Sequence, residues 1–168
     1  MAKFVEMQVD SIRVHMPSGQ HVVILKEKET DRYLPIWIGI YEANAIALKI
    51  TGITPERPIT HDLLATILQS AELRLKKIQV TSLTNEVFFA RLFLGVNGKE
   101  VEIDSRPSDA IALAVRMTCP ILVSQDVLEK AGVFPEKEEE DDDKLSIFKE
   151  LINSMDLPDL EGPPPERS

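Results

Sequence analysis

Between Lys3 and Val14 the chain alternates, with Phe4, Glu6 and Gln8 on one side of an extended segment and Val5, Met7 and Val9 on the other. That period of two predicts a strand. The turn signal Pro17-Ser18-Gly19 separates it from a second strand starting at His21, and Thr30 to Arg32 turns the chain into a third, YLPIWIG. The Ala- and Leu-rich stretch YEANAIALKITG predicts a helix stopped at Gly52. After the loop ITPERP, Thr60 is the expected N-cap of HDLLATILQSAE, where Leu63, Leu64, Ile67, Leu68 and Ala71 recur at helical spacing. Strands follow at LRLKKIQVTSL and VFFARLFLGV, and the Asn97-Gly98 pair predicts a hairpin into KEVEID. The next helix contains AIALAV, which is apolar on nearly all sides and should be buried. PILVS reads as a short strand and QDVLEKAG as a last helix ended by Gly132. Hairpins interrupted by helices, without regular crossovers, indicate an α+β fold with a mixed or antiparallel sheet and buried helices.

An echo runs through this pattern. Ala45-Ile46-Ala47-Leu48 reappears as Ala110-Ile111-Ala112-Leu113, and the same offset pairs Ile36 with Val101, Ile38 with Ile103 and Val22 with Val87. The chain therefore reads as two strand–strand–helix halves, with duplication and coincidence both open. Either way, the helix entrances near Tyr41-Glu42 and near Arg106-Pro107 occupy equivalent positions.

Charge divides the chain differently. Of the net charge of −9, −8 comes from Phe134 onward, where 12 acids face 4 bases, including six consecutive carboxylates from Glu138 to Asp143. Residues 1–133 are thus expected to form the folded body and 134–168 an acidic, largely flexible tail. Within the tail, Ile147, Phe148, Leu151 and Ile152 predict one short amphipathic helix near 144–156. The body is nearly neutral, and its richest basic stretch, Arg74, Lys76 and Lys77, is modest, with edge protection as one explanation. Trp37, Phe88 and Phe89 are expected in the core rather than as stacking platforms. No apolar run approaches the ~18 residues of a membrane span, and the polar start of the chain does not read as a signal peptide, so a cytoplasmic protein without membrane contact is expected. The single cysteine, Cys119, reads as a small buried filler.

The densest chemistry is DSRPSDAIALAVR, residues 104–116. Ser105 as N-cap, Pro107 in the first turn and Asp109 near the positive helix end all have structural explanations. Asp104 and Arg106 do not. An arginine at a helix N-terminus opposes the dipole unless Asp104, another acid or a bound anion compensates it. At PITHDLL, His61 and Asp62 fit either capping and dipole matching, or a general base or metal ligand. The familiar zinc-protease, P-loop, dinucleotide and esterase motifs are absent from the sequence.

Together IGIYEANAIALKITGI, RPITHDLL and DSRPSDAIALAVR resemble the bifunctional nuclease domain family, from Val5 to about Gly132. The resemblance implies a compact α+β domain that self-associates as a homodimer or small homo-oligomer, with nuclease activity on RNA and DNA. Its hallmark residues fall on Glu42, Arg57, Pro58, His61, Asp62, Asp104, Arg106, Pro107, Ser108 and Asp109. For metal-assisted phosphodiester hydrolysis, Glu42, Asp104 and Asp109 would hold Mg2+ or another divalent cation. His61, Asp62, Asp104 and Asp109 would form the catalytic group, with Arg57, Arg106 and Ser108 on the nucleic acid or nucleotide. Near-neutral charge supports two competing readings. One is a non-enzymatic homo-oligomeric module holding an anionic ligand at the entrance formed by residues 104–109. The other is a partner domain whose acidic tail recruits basic proteins.

Overall fold

A computed structural model describes residues 2–135 and 155–156. The strands are β1 (Phe4–His15), β2 (Gln20–Glu27), β3 (Tyr33–Ile38), β4 (Arg74–Thr84), β5 (Val87–Val96), β6 (Lys99–Ser105), β7 (Ile121–Ser124) and the two-residue β8 (Met155–Asp156). The helices are α1 (Ile40–Ile50), α2 (Thr60–Ser70), α3 (Pro107–Met117) and α4 (Gln125–Ala131). The strands form one mixed sheet in the order β3-β2-β1-β7-β4-β5-β6. Only the β4–β7 pair is parallel, and β8 lies against the end of β1. The α+β expectation holds.

The internal echo has a structural counterpart. Two antiparallel meanders, β1-β2-β3 and β4-β5-β6, flank β7, and each is followed by a helix, α1 or α3. Ile36 and Ile38 lie in β3 and Val101 and Ile103 in β6, while Val22 and Val87 lie in β2 and β5. Asn97 and Gly98 adopt φ of 49° and 76°, the left-handed pair that lets a two-residue turn follow the twist of its strands. Asn85 and Glu86 make the equivalent tight turn between β4 and β5 without a glycine.

The core is held by close backbone approach. Ala43, Ala45 and Ala47 of α1 and Ala110, Ala112 and Ala114 of α3 are all buried, and the two helices pack on each other. Pro107 through Ala114, apart from the half-buried Asp109, has almost no exposure, as the all-round apolar pattern requires. Cys119 packs against this core, and burial pushes its thiol up to about 11, so it stays protonated and unreactive near neutrality.

Several expectations are corrected. The edges of the sheet are β3 and β6, so β4 has no edge to protect. Lys76 instead pairs with Glu100, and Lys77 sits over the Phe93 ring. Trp37 is 46% exposed and Phe89 44%, so neither is a core residue, because the alternation that buries Ile36 and Ala90 turns them outward. The N-caps also move by one residue. Ile59, not Thr60, caps α2, and Arg106, not Ser105, caps α3, because β6 continues through Ser105. Of the expected tail helix near 144–156, residues 144–154 lie outside the described residues. Met155 and Asp156 pair with His15 and Val14 as β8.

Because Ala112 has no exposed surface between closely packed elements, Ala112→Leu should lower stability by about 1–3 kcal/mol. Urea denaturation checks this; an unchanged midpoint would mean that α3 is not packed so tightly.

Candidate functional site at the mouth of α3

The three long helices converge at the N-terminus of α3. Arg106, its cap residue, extends its guanidinium along the surface with its side chain 65% exposed. Nη2 donates to Glu42 Oε1 of α1 at 2.7 Å, and Nε donates to Asp109 Oδ2 in its own first turn at 2.9 Å. Those hydrogen bonds to Glu42 and Asp109 raise the Arg106 pKa further. The arginine opposes the helix dipole, and these two carboxylates offset it rather than Asp104. Glu42 reaches Arg106 by folding back over Gly39, the α1 cap, where an added Cβ would overlap the Glu42 carboxylate. Gly39 has ordinary extended angles, so its glycine answers to this close approach and not to backbone freedom.

The other oxygen of Asp109 completes a relay to α2. Asp109 Oδ1 lies 2.9 Å from His61 Nε2. A carboxylate can only accept, so Nε2 carries a proton, and in the neutral imidazole Nδ1 presents the lone pair. His61 is 8% exposed, and Nδ1 has no partner among the described residues. No fully enclosed side-chain polar atom among them lacks a partner, so Nδ1 must touch solvent. Glu42, Arg106, Asp109 and His61 thus form one continuous chain across α1, α3 and α2.

Asp62 lies beside this chain but does another job. Its Oδ2 accepts the Ile59 N–H at 3.0 Å, capping α2, and its Oδ1 accepts from Arg116 Nε at 2.7 Å. Arg116 was not singled out from the sequence. Its side chain is 5% exposed, and it also donates to Ala112 O and to Ala45 O of α1. Burial opposes ionisation of Asp62, but the Arg116 guanidinium and the Ile59 N–H outweigh it and hold the carboxyl below its ordinary value.

Arg57 and Asp104 are exposed and make no side-chain contact to this network among the described residues. Asp104 sits on the edge strand β6 opposite Arg91 of β5. Glu42, Asp104 and Asp109 therefore do not fit a divalent cation as arranged. Glu42 and Asp109 direct their oxygens to Arg106 and His61, Asp104 stands apart, and the described residues hold no group of three metal-type ligands. Ser108 is 6% exposed at the second position of α3, and its hydroxyl has no partner among the described residues. It lines a cavity of about 380 Å3 that runs past Arg106.

A model of the bifunctional nuclease domain matches residues 23–136, from β2 past α4, and so includes every member of this relay. The chain belongs to the bifunctional nuclease domain family. A Mycobacterium tuberculosis relative described as uncharacterized protein MT1877 is 38% identical over 164 residues, 94% of this chain and 98% of its own. Bifunctional nuclease 1 of Arabidopsis thaliana is 30% identical over 62% of this chain, and bifunctional nuclease 1 of Oryza sativa subsp. indica is 25% identical over 73% of it. The matches cover 33% and 38% of these plant proteins, so the shared domain is about a third of their length.

A stability measurement separates an architectural Asp62 from a catalytic one. Asp62→Asn keeps a cap acceptor but leaves buried Arg116 without its countercharge, which should cost about 2 kcal/mol near neutral pH. A depressed carboxyl stabilises the fold when ionised. Its contribution is full above the ordinary value of 3.8 and is lost as pH falls through the lower folded value. The stability gap between wild type and variant should therefore close below that value. A gap that stays constant with pH would contradict the assignment.

Proposed function

We propose that this domain hydrolyses phosphodiester bonds of RNA or DNA at the mouth of α3. The observation that carries the reading is the unbroken Glu42–Arg106–Asp109–His61 relay, which unites four hallmark positions from three helices. Family membership and the names of the plant relatives support the reaction class.

Each residue has a role its geometry allows. Asp109 accepts the Nε2–H hydrogen bond of His61 and fixes the imidazole, leaving Nδ1 to take a proton from water. The water oxygen bonds to phosphorus, the phosphorus–ester oxygen bond breaks, and the departing oxygen takes the proton from His61. Arg106 uses Nε and Nη2 on its carboxylates, so the Nη1 donors are left for a phosphate oxygen. Glu42 positions Arg106 and does not touch the reacting atoms.

Surface charge favours a second reading in which the same mouth binds an anion without cleaving it. Lys26, Lys28, Lys76 and Arg91 are each paired with an acid, so their charge is locally offset and less available to track a long polyanion.

Variants separate the two readings. His61→Ala and Asp109→Asn should each reduce cleavage about 100-fold or more, whereas Asp104→Asn, exposed and outside the relay, should leave it unchanged. Purified variants assayed on labelled RNA and DNA oligonucleotides test this. Cleavage that survives His61→Ala and Asp109→Asn would refute the hydrolytic reading, and loss with Asp104→Asn would move the chemistry to β6.

A further inference from the structure

The cavity beside the α3 mouth has a mixed lining that no residue of the relay except Arg106 uses. Although β2 and β5 are four strands apart in the sheet, it is bounded by the start of both, so the sheet curls to bring the two meanders face to face. Its polar end contains Ser108 and Arg106 at the start of α3 and His21 of β2. Its apolar part contains Trp37, at 46% exposure, and Phe88. One acid, Glu86, lies on the rim at the β4–β5 turn.

Ser108 is the informative residue. It is more than nine-tenths buried, lines the cavity and has no hydrogen-bond partner among the described residues, yet its hydroxyl is not fully enclosed. A buried hydroxyl without a partner costs free energy unless something supplies one. The backbone N–H groups of Ser108 and Asp109, in the first turn of this 11-residue helix, also lack partners among the described residues. Ser108 and Arg106, which both line the cavity, therefore offer a hydroxyl and a guanidinium as donors beside free first-turn amides, with the positive end of the helix dipole behind them.

We propose that this cavity seats a single nucleotide unit. Its phosphomonoester would lie on Ser108, the α3 amides and Arg106, and its base against Trp37 and Phe88. The inference rests on the reading of the α3 mouth as a phosphate site and narrows its ligand. Free phosphate would leave the aromatic part unfilled, and a long strand would meet surface cations such as Lys28, Lys76 and Arg91 already paired with acids. Exposed Trp37 offers a stacking face that any base can use.

Calorimetric titration of the full chain with adenosine monophosphate, adenosine and inorganic phosphate tests this. The monophosphate should bind at least about tenfold more tightly than either fragment. Ser108→Ala, checked for an unchanged melting curve, should weaken it by about tenfold. Trp37→Ala should weaken the monophosphate and leave inorganic phosphate unaffected. Should Ser108→Ala fail to fold, Arg106→Ala, which removes the exposed guanidinium of the same phosphate cradle, serves as the second variant, with the same expected loss of affinity. Equal affinity for inorganic phosphate and the monophosphate would overturn the proposal, as would monophosphate affinity unchanged in Ser108→Ala or, where that variant does not fold, in Arg106→Ala. A chain that cleaves oligonucleotides but does not bind the monophosphate overturns this inference alone. One that binds it through Ser108 and never cleaves overturns the hydrolytic reading alone.

Discussion

A helix buried along most of its length must be tied to its neighbours at both ends, and in this domain the guanidiniums of Arg106 and Arg116, at the two ends of α3, join the other helices to it. At the far end Arg116, almost wholly buried, binds Asp62 of α2 and the Ala45 carbonyl of α1. At the near end Arg106 binds Glu42 of α1 directly and reaches His61 of α2 through Asp109. The two ends differ in exposure: Arg116 is at 5% and Arg106 at 65%. The buried arginine has all three nitrogens engaged and acts as a tie. The exposed one keeps part of its guanidinium for something outside the fold.

On the proposed reading, this difference makes the near end a site. Glu42 and Asp109 hold Arg106 in a defined orientation, which reduces the side-chain freedom lost when it engages a ligand. They also offset much of its charge, so the mouth suits one well-placed phosphate better than a polyanion. Membership of the bifunctional nuclease domain family and the pairing of surface cations such as Lys76 and Arg91 with acids are compatible on that basis. On that reading, recognition rests on local donors at one phosphate instead of a long-range field.

Much of this was legible in the sequence because local patterns carried it. Strict alternation, the Asn97-Gly98 turn and the apolar character of α3 all found their expected elements. The crowding of DSRPSD correctly marked a place with more polar groups than a cap needs. What the sequence could not assign were partners. Asp104, two residues from Arg106, is the nearest candidate in sequence, yet strand alternation at Asp104-Ser105 leaves it on the β6 edge, while Glu42 arrives from 64 residues away. Nothing in the sequence around Arg116 named its partners, and only the packing of α1 against α3 made it a buried tie. His21 and Trp37 gave no signal of shared surroundings because the curl of the sheet that brings them to Ser108 is a tertiary property.

The claim that Arg106 is held by Glu42 can be measured directly with a double-mutant cycle of Glu42→Gln and Arg106→Ala, followed by urea denaturation. Glu42 is 14% exposed, so its bond to Arg106 should be only partly screened. The expected result is a coupling of about 1 kcal/mol, the double variant being less destabilised than the sum of the single ones. Additivity within about 0.3 kcal/mol would contradict it, because the two side chains would then fold independently and the mouth of α3 would not be preorganised.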